Sequence, residues 1–193
     1  MLLSMIKRIL GGKAHNIVPH RIYGRVVTQA RNSQFYTDMC IPDTVMGRYD
    51  MLALHVFLVN RRLKYVEPGD KLSAGRLSQD IFDLFIIDLE RGLRDLGFAD
   101  TSVHKRKRRL ARSYYALIEE FDDALETGKP GILSDAIGSR YFTNSGEPVK
   151  RRCITLLETY IFQTVDCLAG QSIQDILLGG LNWPTISVTS VEG

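Results

Sequence analysis

A catalytic or metal site needs histidine, cysteine and acidic side chains at recurring spacings, and this sequence supplies them sparsely. Its four histidines, His15, His20, His55 and His104, form no HExxH pair, and no carboxylate is spaced to complete a ligand set. No metal site and no cofactor are therefore expected. Three cysteines, Cys40, Cys153 and Cys167, are odd in number and far apart in sequence, so they make neither a CxxC redox pair nor a zinc set. They read as reduced thiols of a cytosol-like compartment, placed in the core. The run Gly11-Gly12-Lys13 lacks the GxxxxGK[ST] spacing and follows no strand pattern, which makes it a helix stop rather than a phosphate cradle.

Two isolated residues remain as places where chemistry could hide. His55 sits in a stretch from Met51 to Val59 in which it is the one polar residue. A general base could occupy such a position, but no GxSxG-type nucleophile accompanies it, and a hydrogen-bonded core histidine is the simpler reading. Asp88 falls between Leu84 and Phe85 on a helical wheel, on an otherwise apolar arc. Buried without a partner it would cost several kcal/mol, so a partner is expected, with Arg48, His55 and Arg62 as candidates.

Charge is distributed more unevenly than the net value of +3 suggests. Residues 1–37 hold six bases (Lys7, Arg8, Lys13, Arg21, Arg25, Arg31) and no acid. A second cluster, Lys105, Arg106, Lys107, Arg108 and Arg109 with Arg112, comes after acid-rich residues 80–100. Clustered bases of this kind neutralise phosphates, so a nucleic-acid module is one alternative function. An anionic membrane surface, an acidic protein, or merely a solvated helix start are the others. No stacking platform or nucleic-acid motif accompanies the cluster.

The elements that must carry these residues are helices. At 193 residues, 45% hydrophobic and 24% charged, the chain fits one globular domain. No apolar run approaches the ~20 residues needed to cross a bilayer. Strand alternation and repeats of 20–50 residues are both missing. The first ten residues place Leu2, Leu3, Ile6, Ile9 and Leu10 on one helical face opposite Ser4, Lys7 and Arg8. This basic amphipathic segment could anchor on a membrane, dock on its own domain or fray. Helices are then expected from Pro19 to about Asn32, from Val45 to Tyr65 behind the capping Pro42-Asp43-Thr44, from Leu77 to Leu96 with Gly97 as a left-handed stop, and from Thr101 to Thr127. A weaker helix over residues 132–142, a strong one starting at Glu147-Pro148, and a short one from Ser172 to Leu181 complete the count. The expectation is an all-α single compact domain of roughly six to eight helices around a central hydrophobic helix pair, residues 43–65 and 77–96. Residues 1–17 form the basic amphipathic segment, 18–181 the domain, and 182–193 a loose tail.

Particular residues carry a resemblance. Phe35-Tyr36, Pro42-Asp43-Thr44, Gly47-Arg48, Met51, Leu54-His55, Phe57-Leu58 and Arg61-Arg62-Leu63 resemble the signature of the ubiquinol-cytochrome c chaperone family. Ser78-Gln79, Asp83, Phe85, Asp88, Leu93-Arg94, Gly97, Asp100, Val103 and Lys105 continue it in order. The resemblance spans residues 20–125 and fades after Glu126; at Tyr114-Tyr115-Ala116-Leu117 the chain departs from the Tyr-Gly-Arg that the family pattern implies.

What the resemblance implies is a non-catalytic assembly chaperone that binds newly made cytochrome b and assists maturation of ubiquinol-cytochrome c reductase, respiratory complex III. It also implies peripheral association with the inner membrane, and a small partner protein in mitochondrial members. The short leader suggests a bacterial member in the cytoplasm; a eukaryotic one would sit on the matrix side of the inner membrane. Arg48, His55, Arg61, Arg62, Asp88 and Arg94 would rim or brace a client groove on the central helices. Lys7, Arg8 and Lys105 to Arg109 would contact the anionic membrane or an acidic partner.

Overall fold

The computed structural model describes residues 17–143 and 147–186, with the side chains of 147–149 left aside. The amphipathic N-terminal segment, including Lys7 and Arg8, and residues 187–193 of the expected tail lie outside the described residues. Within them every regular element is a helix: α1 (17–30), α2 (Gln34–Thr37), α3 (Val45–Lys64), α4 (Lys71–Asp95), α5 (Asp100–Thr127), α6 (Ile132–Tyr141), α7 (Glu147–Ala169) and α8 (Ile173–Leu177). No strand occurs among the described residues.

Local chemistry sets the helix ends. Thr44 takes an extended conformation and its Oγ1 accepts the Gly47 N–H at 3.1 Å, capping α3. Gly47 lies against the turn that precedes it: a Cβ there would come within 1.9 Å of the Pro42 carbonyl oxygen. At the end of α4, Gly97 (φ +80°) lets its own N–H reach the Arg94 carbonyl at 2.8 Å and the Phe98 N–H reach that of Leu93 at 3.3 Å. This paired closure satisfies carbonyls that a helix end leaves open.

Packing is organised around α3, which touches α4, α5 and α7, while α5 leads to α6 and α6 to α7. From Met51 to Val59 every residue of α3 but Leu52 is buried. Such a helix must be enclosed on nearly all sides. Among α2 to α8, the pairing of α3 with α4 is the most extensive, as the apolar runs imply. The two members differ, however. Helix α4 buries Ala74, Leu77, Ile81, Phe85 and Leu93 along one stripe, and Leu96 at its end is exposed.

Helix α4 also begins at Lys71, well before the expected Leu77. Its first turns are polar, with only the small Ala74 buried, so hydrophobic periodicity is silent there. Helix α8 ends at Leu177, short of Leu181, and Ser172 makes no side-chain cap. Residues 178–186, after α8, are docked on the body. Leu181 and Ile186 are buried, and Arg25 donates to the Leu181 carbonyl at 2.6 Å. Asn182 and Gln171 exchange two hydrogen bonds, at 2.7 and 2.9 Å. Of the three free thiols, Cys153 alone is fully buried, while Cys40 and Cys167 are half-buried. Burial and the neighbouring Cys40 thiol push the Cys153 thiol up to about 12.

Candidate functional site

His55 lies fully buried on α3 with both ring nitrogens engaged. Nδ1 is 2.7 Å from the Met51 carbonyl and Nε2 2.7 Å from the Tyr160 hydroxyl of α7. A carbonyl can only accept, so Nδ1 carries the proton and Nε2 accepts from Tyr160, whose oxygen accepts in turn from Gln29 at 3.1 Å. Phe35 and Trp183 meet the imidazole edge-on, with centroids 5.3 and 5.1 Å away. Burial lowers its pKa to about 4, which the bond to Met51 only partly offsets. This is the hydrogen-bonded core histidine the sequence suggested, and it ties α1, α3, α7 and the docked tail together.

Asp88 has a different partner from those expected. It is half-buried and accepts from the Tyr23 hydroxyl of α1 at 3.0 Å. Arg48 instead pairs with Asp43 at 2.6 Å, both exposed, where it holds the α3 entry turn. Arg62 donates to three backbone carbonyls, of Tyr65, Leu168 and Gln171, at 2.8–3.0 Å. It thereby closes the end of α7 on α3. Arg94 is half-exposed between Glu90 at 2.7 Å and Asp100 at 3.3 Å, which spans the α4–α5 turn. The six signature residues do not converge on one point.

Arg61 does line a cleft. Helices α3, α4 and α5 leave an open space of about 300 Å³ between them, bounded by Phe57, Phe82, Tyr114, Tyr115 and Ile118. Phe82 stacks on Tyr114 at 5.5 Å, forming one wall. At the rim Arg61 pairs with Asp122 at 3.0 Å, and Lys64 reaches Asp122 at 2.7 Å and Glu126 at 3.3 Å. Tyr65 donates to Glu126. These contacts raise the Lys64 pKa and hold the Glu126 carboxyl below its usual range. An aromatic trough results, with Arg61, Lys64 and Asp122 along its rim. A second opening, of about 270 Å³, lies on the other side of Arg61 between α3 and α7.

The basic cluster occupies the first turns of α5 and is divided. Lys107 is tied to Glu90 at 2.6 Å, and the Arg106 guanidinium lies 3.9 Å over the Phe98 ring. Lys105, Arg108, Arg109 and Arg112 are exposed. Sequence reasoning missed a pair with more consequence for the fold: Arg140 of α6 donates to Asp50 of α3 at 2.8 and 3.1 Å, and also to the Ser113 carbonyl and hydroxyl. Both members are nearly enclosed. Burial raises the Asp50 pKa and the Arg140 charge opposes the shift. No local signal linked two residues ninety positions apart.

Fold and site together define an all-α, single-domain protein with an enclosed central helix and an aromatic trough beside it. The ubiquinol-cytochrome C chaperone family model matches residues 37–183, and the chain belongs to that family. The match continues well beyond Glu126, where the resemblance in sequence faded, so α6, α7 and α8 are part of the family body. Among solved structures, the Cbp3 homolog from Brucella abortus is similar at 32% identity with a TM-score of 0.81, covering 96% of this chain and 98% of that one. No curated protein matches.

Proposed function

We propose that this protein is an assembly chaperone for ubiquinol-cytochrome c reductase, complex III, that holds newly made cytochrome b without catalysing a reaction. Family membership over residues 37–183 carries the reading, and the likeness to the Cbp3 homolog along nearly the whole chain supports it. A client rich in transmembrane helices needs an apolar surface to shelter against, and the trough between α3, α4 and α5 is such a surface. Arg61 rims it; Arg48, His55, Arg62, Asp88 and Arg94 brace the helices that form it.

The chaperone works at the inner membrane, on the cytoplasmic side in a bacterium. No described helix is long and apolar enough to cross a bilayer. The exposed Lys105, Arg108 and Arg109, with Lys7 and Arg8, would meet anionic lipid, each base near the surface contributing about 1 kcal/mol. A small partner protein is expected only in a mitochondrial setting.

The test is a gene deletion scored by complex III abundance, combined with photocrosslinking from α3 and α4 in cells. Loss of complex III and a crosslink to cytochrome b are expected. Normal complex III levels in the deletion strain would refute the proposal. Truncating residues 2–12 should reduce co-sedimentation with anionic vesicles; unchanged binding would remove the membrane contact.

A further inference from the structure

Leu178 and Leu72 are the two most exposed large apolar side chains among the described residues, at 71% and 67%, and Ile17 is exposed as well. All three fall at one place. A shallow notch is lined by Val18 and Pro19 of α1, Ser73, Leu77 and Asp80 of α4, and Leu177 of α8. Each of the exposed residues is the immediate chain neighbour of one of these. Gln174 of α8 donates to Asp70, the residue before α4, at 2.8 Å. Gly179 lies so close to α1 that a Cβ on it would come within 2.9 Å of the Arg21 Cδ. The starts of α1 and α4 and the end of α8 therefore form one surface. Apolar side chains scattered singly over a surface are ordinary, but three that meet around an apolar notch mark a place of contact.

The chain itself supplies a fitting occupant. Residues 1–16 lead into α1 at Ile17, on the rim of the notch, and Leu2, Leu3, Ile6, Ile9 and Leu10 share one helical face. Such a stripe requires an apolar cover. As a helix, residues 1–10 would be about 15 Å long, and the rise of α4 from Leu72 to Asp80 is about 12 Å, so the lengths match. The connection, residues 11–16, opens with Gly11-Gly12, which permits a reversal of direction, and six residues reach about 20 Å at most. So short a tether holds the stripe beside the patch at roughly millimolar effective concentration, which gives it the advantage over a free partner. Charge agrees locally. Residues 1–16 carry Lys7, Arg8 and Lys13 and no acid, while Asp80 and Asp175 at the patch are exposed and form no ion pair among the described residues.

We propose that residues 1–10 fold back as a helix whose apolar stripe covers Leu72, Leu178 and the notch between them, within the same chain. Lys7 and Arg8 then lie at the edge of the contact, toward Asp80 and Asp175. Docking consumes the stripe that would enter a bilayer, so the docked and lipid-bound segments exclude one another. An anionic membrane must draw the segment off the body before the segment can anchor there. The docking stands on the patch and the tether; only the lipid-bound alternative rests on the membrane contact put forward above.

The test uses the full chain with the photocrosslinker p-benzoylphenylalanine in place of the exposed Leu72, irradiated without lipid. Mass spectrometry should place the crosslink on residues 2–10, and in a mixture of nitrogen-15-labelled and unlabelled protein the joined peptides should share one label state. No crosslink to residues 2–10 would overturn the docking, and so would mixed label states, which would put a second copy on the patch. Leu72→Ser combined with Leu178→Ser alters exposed positions alone, so the protein should stay folded. If the segment is docked two-thirds of the time, freeing it should raise the affinity for vesicles of phosphatidylglycerol and phosphatidylcholine by about threefold. Truncating residues 2–12 in that variant should remove the gain. Unchanged or weaker vesicle binding by the double variant would overturn the exclusion between docking and lipid. If the intramolecular crosslink forms while truncation of the wild-type chain leaves vesicle binding unchanged, the docking stands and the membrane contact falls; if truncation weakens vesicle binding but no crosslink forms, the reverse holds.

Discussion

Lowering the pH from 7 to 5 should cost the wild-type fold about 2 kcal/mol through His55 alone. The imidazole is buried neutral with a pKa of about 4, against 6.5 for the free side chain. Above pH 6.5 both states are neutral there and the residue contributes no pH dependence. As pH falls from 6.5 toward 4 the unfolded chain takes up a proton that the folded chain refuses, so stability falls by about 1.4 kcal/mol per pH unit. The loss reaches about 3 kcal/mol and becomes constant below pH 4, where both states are protonated. Other groups titrate in the same window, and His55→Gln isolates this contribution because it removes the proton site while keeping a polar side chain for Tyr160. Urea unfolding of both proteins at pH 7, 6 and 5 is the assay. The variant should be less stable at pH 7, and the gap should narrow by about 2 kcal/mol at pH 5. Parallel pH profiles would refute the assignment of a neutral, desolvated imidazole with Nε2 as acceptor.

Asp50→Asn should destabilise the protein by about 3–5 kcal/mol in the same assay, because it strands the nearly enclosed Arg140 charge; a change under about 1 kcal/mol would mean that water reaches the pair. Gly47→Ala should lower stability by about 1–3 kcal/mol, since its methyl group would overlap the Pro42 carbonyl unless the entry turn of α3 moves. Asp88→Asn should lower it by about 1 kcal/mol by weakening the Tyr23 contact, with client capture intact; normal melting with failed capture would make Asp88 a client contact instead. Ending the chain at Gly180 should cost at least about 3 kcal/mol by removing Leu181, Trp183 and Ile186 from the core, whereas a neutral result would return this segment to a dispensable tail.

The helices and most of their ends were legible in the order of residues alone. Thr44 and Gly97 mark boundaries because capping is decided by residues within a turn of one another. The run from Met51 to Val59 likewise announced an enclosed helix, since a segment apolar on all sides has no face to give to water. His55 stood out as an unusual residue in that setting, but the residues of the neighbouring trough did not: Asn60 at the edge of the apolar run and Gly75 in a polar turn carry no mark of the gap they line. The partner of Asp88 on α1, the Asp50–Arg140 pair and the docking of residues 181–186 were settled only when the chain was folded. Periodicity says which face of a helix is apolar without saying which other helix covers it. Contacts across dozens of residues depend on how those faces are shared, and so does the trough, which exists because three helices meet without filling the space between them.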